Sequence, residues 1–158
     1  MKKIVLLFII AAAFAACKKS GTVLPPYYEE SYELLGNSRL DTLTDPESRN
    51  FHYEVNSGKN TVFVLHYYKG PAGASAPNAE SKLLFQADSG VTDFTYRGAE
   101  LATHLTGYEG TDYPHSTLID SGVITGHLSN RVWNVIINVT LPLQSANPQT
   151  IQTQVQFQ

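Results

Sequence analysis

The chain has 158 residues, of which 14 are acidic and 11 are basic, so its net charge at neutral pH is −3. This mild acidity, with no cluster of lysine and arginine beyond the pairs Lys2-Lys3 and Lys18-Lys19, argues against a nucleic-acid-binding protein, because phosphate backbones require grouped cations. Only one cysteine is present, so an intramolecular disulfide is excluded and the fold must be stabilised by packing.

The first 16 residues have the three regions of a secretory signal. Lys2 and Lys3 supply the positive charge, and an apolar run of about 13 residues follows before the small residues that precede Cys17. This run is shorter than the 18 or more residues that a membrane-spanning helix requires. The pattern therefore predicts an exported protein without a permanent transmembrane helix.

The residues around the only cysteine resemble the lipobox of bacterial lipoproteins. Phe14, Ala15 and Ala16 precede Cys17, with small residues at the expected positions and Phe14 where leucine is usual. The resemblance implies cleavage between Ala16 and Cys17, followed by acylation of Cys17, whose two or more acyl chains would anchor the protein stably. Lys18, in place of the aspartate that retains lipoproteins in the inner membrane, implies an outer-membrane location in the cell envelope. The resemblance covers only about the first 20 residues.

Three segments follow from this interpretation: a signal peptide (1–16), a lipidated cysteine with its tether (17–26) and a single β-sandwich domain (27–158). Loss of Lys2 and Lys3 would leave 9 basic and 14 acidic residues among 142, a net charge of −5. We expect Lys18-Lys19 to lie against lipid headgroups beside the anchor.

The first half of the domain shows strand patterns. Residues 28–35 are a candidate strand, and Gly36-Asn37-Ser38 is typical of a turn. From Phe51 to Val55, apolar and polar residues alternate, and 61–68 form a β-branched and aromatic run. The turn residues 56–60 lie between these two segments, so we predict a hairpin.

The middle of the chain alternates short elements with polar segments. Residues 69–81 contain Gly, Pro, Ala and Ser without a large apolar side chain, which predicts a mobile surface loop. Two short strands are expected at 82–87 and 91–97. Residues 98–105 are compatible with one or two helical turns, and 106–116 are predicted to be a second loop, rich in tyrosine and charge.

The clearest hairpin of the sequence lies between 117 and 141. Ser129-Asn130-Arg131 is the predicted tight connection, and Gly122 and Gly126 indicate either bulges or room for a large neighbour such as Trp133. Along the second strand the following residues should share a buried face: Trp133, Val135, Ile137, Val139 and Leu141.

The last strand, 151–158, alternates apolar or threonine residues with glutamines. Seven or eight strands at a spacing of roughly 8–12 residues predict an all-β fold, an antiparallel β-sandwich, with a β-barrel as the alternative.

The sequence contains no phosphate-binding loop, nucleophile elbow or zinc-protease motif. Acylation of Cys17 would also remove it as a nucleophile. The five histidines are scattered, and although His52 and His66 would lie on adjacent strands of the predicted hairpin, we expect solvent-facing histidines there. We therefore predict no enzyme activity, cofactor or metal site.

The predicted loop at 106–116 is the candidate binding segment. It combines rings that stack on sugars or partner side chains with carboxylates that accept hydrogen bonds: Tyr108, Glu109, Asp112, Tyr113 and His115. The alternative is a structured connection whose tyrosines pack against the sandwich.

The resulting hypothesis is a membrane-anchored, non-enzymatic lipoprotein that binds a protein or glycan partner. A structural subunit that pairs through its glutamine-rich C-terminal strand is the first alternative. A hydrolase and a carrier of a small ligand are the others.

Overall fold

The computed structural model describes residues 26–48, 50–72, 79–110, 113–142 and 149–158. The predicted signal peptide, Cys17 and nearly all of the tether lie outside these ranges. Within them, no helix has the length and apolarity needed to cross a bilayer.

The all-β prediction is confirmed. The described residues form ten strands and one short helix, two or three strands more than expected. The elements are β1 (Pro26–Thr44), β2 (Phe51–Ser57), β3 (Asn60–Ala72), β4 (Ala79–Ala87), β5 (Asp93–Arg97), α1 (Ala99–Thr103), β6 (Gly107–Gly110), β7 (Tyr113–Leu118), β8 (Gly122–Ser129), β9 (Val132–Thr140) and β10 (Thr150–Phe157).

The strands form two antiparallel sheets that pack face to face. The larger has the order β2-β1-β3-β4-β6-β7 and the smaller has the order β10-β9-β8-β5. The core between them is aromatic at its centre, where the ring of Phe63 contacts four others: Phe85, Phe94, Trp133 and Phe157. Sandwich packing of this kind needs one apolar face from each sheet, which the alternation along β9 supplies.

The larger sheet also buries its other face, because it curls towards a closed barrel. Its two edge strands, β2 and β7, approach each other, and a second cluster fills the interior: Leu40, Tyr53, Val62, Val64 and Leu84. Central strand β3 is therefore buried on both faces from Val62 to Leu65, which explains its uninterrupted apolar run.

Strand β1 differs from the prediction, because Gly36-Asn37-Ser38 is not a turn. The strand continues through these residues, and the pairing with β3 shifts register between Leu35 and Ser38. Asn37 has a positive φ of 53°, a conformation that asparagine tolerates better than most residues. The turn-like composition thus marks a β-bulge within one long strand.

The predicted β2–β3 hairpin is wrong. Each strand forms as expected, but β1 lies between them and pairs with both. His52 and His66 are therefore on strands that are not neighbours. The chain from β2 to β3 crosses β1 at its bulge, where Gly58 lies against Ser38 and Arg39. Local patterns do not reveal this path.

The middle of the chain is more regular than expected. β3 extends to Ala72 and β4 begins at Ala79, so both ends of the predicted loop 69–81 are strand, and 73–78 lie outside the described residues. β4 and β5 belong to different sheets. The predicted helical turns are confirmed as α1, whose Leu101 is buried.

The C-terminal predictions are confirmed except at the start of the hairpin, where residues 117 and 118 belong to β7 of the larger sheet and the hairpin strand begins at Gly122. β8 and β9 pair through the two-residue turn Asn130-Arg131, and all five residues of the predicted apolar series, Trp133 to Leu141, are buried. β10 alternates as expected, with Val155 and Phe157 buried. The large neighbour at Gly126 is Phe94 rather than Trp133.

Candidate functional site

The predicted binding loop at 106–116 is largely a β-hairpin, so the loop prediction is wrong. β6 and β7 pair through Gly107 with Leu118 and Tyr108 with Thr117. Asp112 lies outside the described residues, as do the side chains of Tyr113 and His115. Of the five candidate side chains, the structure therefore describes Tyr108 and Glu109.

Tyr108 points into the space between the two sheets. It lies opposite Leu83 of β4, belongs to the main core cluster and is 9% exposed. This placement corresponds to the alternative in which a tyrosine of the segment packs against the sandwich, although Tyr108 also lines the cleft described below.

Glu109 points the other way, towards the interior of the curled sheet. Its carboxylate Oε1 accepts a hydrogen bond from the backbone N–H of Tyr53 on β2 (2.7 Å) and another from the hydroxyl of Ser116 on β7 (2.6 Å). The carboxylate thus connects the two edges of the six-stranded sheet. Sequence reasoning had assigned Glu109 to ligand binding and had no signal for this contact, because Tyr53 is 56 residues away.

The candidate site is a cleft of about 500 Å³ between the two sheets, which we call the tyrosine cleft. Its size is within the range of ligand-binding pockets. Strand β3 and the start of β10 form opposite walls. It is lined by Glu30, Tyr67, Tyr68, Lys69, Ser81, Tyr108, Leu141, Gln149, Thr150, Ile151, Gln152 and Thr153.

The lining of the tyrosine cleft is mostly polar. Only Leu141 and Ile151 lack a polar side-chain group, and the two charged side chains, Glu30 and Lys69, have opposite signs. The rings of Tyr67 and Tyr108 supply apolar faces with a hydroxyl at one end, whereas the Tyr68 ring stacks on His66 on the other face of β3. The cleft therefore combines ring surfaces with donors and acceptors of hydrogen bonds, with no excess of either charge.

Tyr67 is the most unusual residue of the cleft. Its hydroxyl is buried and has no hydrogen-bond partner among the described residues. Burial, followed by the negative charge of Glu30, raises the pKa of Tyr67 well above its usual value. The hydroxyl therefore stays protonated as a neutral donor. Its only signal in the sequence was the Tyr67-Tyr68 pair at the end of an apolar run.

The histidines whose side chains the structure describes do not line the cleft. His66 lies on the opposite face of β3, where its Nδ1 is 2.9 Å from Glu80 Oε1 and its Nε2 is 3.7 Å from Glu33 Oε2. His127 contacts Asp93 on the outer face of the smaller sheet. No group of three or more potential metal ligands occurs in the described part of the chain.

Comparison of the chain with protein-family models, with curated proteins and with solved structures finds no match.

Proposed function

We propose that this protein is a lipid-anchored lipoprotein of a bacterial cell envelope whose β domain binds a glycan in the tyrosine cleft without transforming it. The observation that carries the ligand class is the lining of that cleft. The rings of Tyr67 and Tyr108 lie beside amide, hydroxyl and charged groups of both signs.

A sugar ring fits this lining for two physical reasons. Its C–H face packs on an aromatic ring, and its hydroxyls donate to and accept from side chains such as Thr153 and Tyr67. An anionic ligand is disfavoured because Glu30 offsets Lys69. An apolar ligand would leave the polar lining groups without partners, which costs free energy for each buried group.

The ligand is tested with the full-length protein in detergent on an oligosaccharide array, followed by titration calorimetry with the best probe. We expect Tyr67→Phe and Thr153→Ala to weaken binding by roughly tenfold or more, since a lost hydrogen bond is worth about 1–2 kcal/mol. Tyr53→Phe is the matched control, because the Tyr53 hydroxyl is also buried without a described partner but belongs to the second cluster, away from the cleft. Equal glycan binding by all variants, or capture of a protein instead of any glycan, would refute the assignment.

The anchor is supported by the lipobox resemblance around Cys17. Cys17→Ser should abolish incorporation of a labelled fatty acid and move the protein from the membrane fraction to the soluble fraction or to an uncleaved precursor. A Cys17→Ser protein that is still acylated and processed normally would contradict the anchor.

A further inference from the structure

Strand β10 is an edge of the four-stranded sheet. It pairs with β9 from Thr150 to Phe157 without a register shift, and no described strand lies on its other side. Every second residue of such a strand directs its backbone N–H and C=O away from the sheet. The edge is therefore a straight row of backbone groups eight residues long.

This edge lacks the features that normally prevent edge-to-edge pairing, which are charged residues, proline and bulges. The segment TIQTQVQF contains none of them. The contrast within the molecule is clear. β5, the other edge of the same sheet, is only five residues long and carries Asp93 and Arg97.

Two exposed apolar side chains flank the same edge. Ile136 is 53% exposed on the outer face of the sheet, where its neighbour on β10 is Gln154. Tyr32 is 43% exposed and lies on the core-facing side of β10, where its ring is 6.0 Å from that of Phe157. Five large apolar residues are exposed in the described part of the chain, and these two lie on opposite faces of β10.

We propose that β10 is a self-association surface, and that a second copy of this chain pairs with it in the antiparallel direction about a two-fold axis at Gln154. The two four-stranded sheets then become one eight-stranded sheet. Each copy presents the same surface, as a two-fold interface requires. This inference does not depend on the ligand of the tyrosine cleft.

The register follows from the alternation of β10. Gln152, Gln154 and Gln156 face outwards, and the intervening residues face the core, so a pairing that preserves both faces must join residues of the same parity. Symmetry about Gln154 places the two Gln154 side chains opposite each other and Gln152 opposite Gln156. On the inner face it places Ile151 opposite Phe157.

A second copy suits this edge better than a charged partner. A strand without charges has nothing to pair with a charged segment, whereas opposite glutamines form amide hydrogen bonds and opposite apolar residues stay covered. A one-residue slip would bring glutamines to the core face of the partner. Among the registers that avoid this, symmetry about Thr153 would place Gln156 opposite Thr150. Symmetry about Val155 would leave Thr150 and Ile151 unpaired, so the axis at Gln154 is selected.

Cross-linking tests the proposed axis. In the full-length protein with Cys17→Ser, which removes the only native thiol, Gln154→Cys brings two thiols together at the axis, and Thr95→Cys is the control. Thr95 is also exposed and belongs to the same cross-strand row, on the opposite edge. Under mild oxidation in detergent, we expect Gln154→Cys to form disulfide-linked dimers at least about tenfold faster. Equal rates would overturn the proposal.

Sedimentation velocity supplies the second test. Gln154→Lys places two ammonium groups opposite each other and should weaken the dimer about tenfold or more, whereas Thr95→Lys should not. Both substitutions are at exposed positions, so the fold should be retained, which circular dichroism checks. A wild-type protein that sediments as a monomer at about 100 µM, a concentration at which any useful dimer would form, would refute the interface.

Discussion

At the scale of single residues, the packing of the core depends on two glycines, whose lack of a side chain makes room for an aromatic ring. Gly107 lies against the ring of Tyr53, and Gly126 lies against the ring of Phe94; in each case a Cβ would overlap ring atoms. Both rings are buried, so neither has room to move aside. The two glycines therefore allow aromatic rings to pack directly on a neighbouring strand.

Gly126→Ala is predicted to lower the free energy of unfolding by about 1–3 kcal/mol, because the added methyl group forces the Phe94 ring out of position. Gly36→Ala is the matched control: Gly36 is exposed and its Cβ would meet nothing within 4 Å. Urea unfolding monitored by Trp133 fluorescence measures both. A Gly126→Ala protein as stable as the control would show that the ring is not confined.

His66 is predicted to set the acidity of Glu80. The hydrogen bond from His66 holds the pKa of Glu80 below its usual value, with a smaller contribution from Lys82. A carboxyl pKa lowered by folding stabilises the protein above the unfolded-state value near 4.5, and this stabilisation is lost as the pH falls through the folded-state value.

Titration of the Glu80 carboxyl carbon by NMR measures this effect. In His66→Phe we expect the pKa of Glu80 to rise to its ordinary value or above it, since burial then acts with less opposition. Lys82→Gln should produce a smaller rise. An unchanged pKa in His66→Phe would rule out the hydrogen bond as the main cause.

At the scale of elements, the β8–β9 hairpin shows how an unfavourable turn residue lowers the stability of a well-paired hairpin. Both turn residues, Asn130 and Arg131, have positive φ angles, 52° and 69°, as in the type I′ turns that fit the twist of a hairpin. Asparagine tolerates this conformation, whereas arginine is strained in it. The hairpin therefore forms because the strands pair well, despite an unfavourable residue in the turn.

Arg131→Gly should consequently stabilise the protein by about 1 kcal/mol, because glycine adopts the left-handed conformation without strain. Thr95→Gly, in the middle of the same sheet's edge strand β5, should destabilise it because glycine weakens strands. Thermal unfolding of the two variants compares them directly. A lower melting temperature for Arg131→Gly would indicate that its side chain contributes more than its backbone strain costs.

At the scale of the whole molecule, the larger sheet closes through a side chain instead of a ladder of backbone hydrogen bonds. Glu109 accepts from the Tyr53 N–H and from Ser116, and so joins β6, β7 and the edge strand β2. The second cluster, which includes Leu40 and Val62, lies inside the resulting curl. One carboxylate thus pairs a backbone N–H of an edge strand and helps to close the sheet around an apolar interior.

Glu109→Ala should therefore destabilise the protein by about 1–3 kcal/mol and speed hydrogen exchange at the Tyr53 amide, because a partly buried N–H loses its acceptor. Glu109→Gln retains an acceptor oxygen and should have a smaller effect. Exchange rates at Tyr53 that are equal in wild type and Glu109→Ala would contradict the closing role.

Local patterns were sufficient where strong alternation of apolar and polar residues runs through the strand. The β8–β9 hairpin, the buried series from Trp133 to Leu141 and the faces of β10 are examples. They failed at β1, where a bulge has the composition of a turn, and at Thr106–Ser116, where polar and aromatic residues form a hairpin. Alternation reports which residues a strand buries, but not which strand lies beside it.

The sequence by itself determined the all-β class, most strand positions and the faces that are buried, because each depends on side-chain periodicity over a few residues. Only the tertiary structure decided that β1 separates β2 from β3, that Glu109 contacts Tyr53 and that Tyr67 and Tyr108 share a cleft. These contacts join residues up to 56 positions apart. Their partners are selected by the competition among all strand pairings in the folded chain, and a local pattern carries no information about that competition.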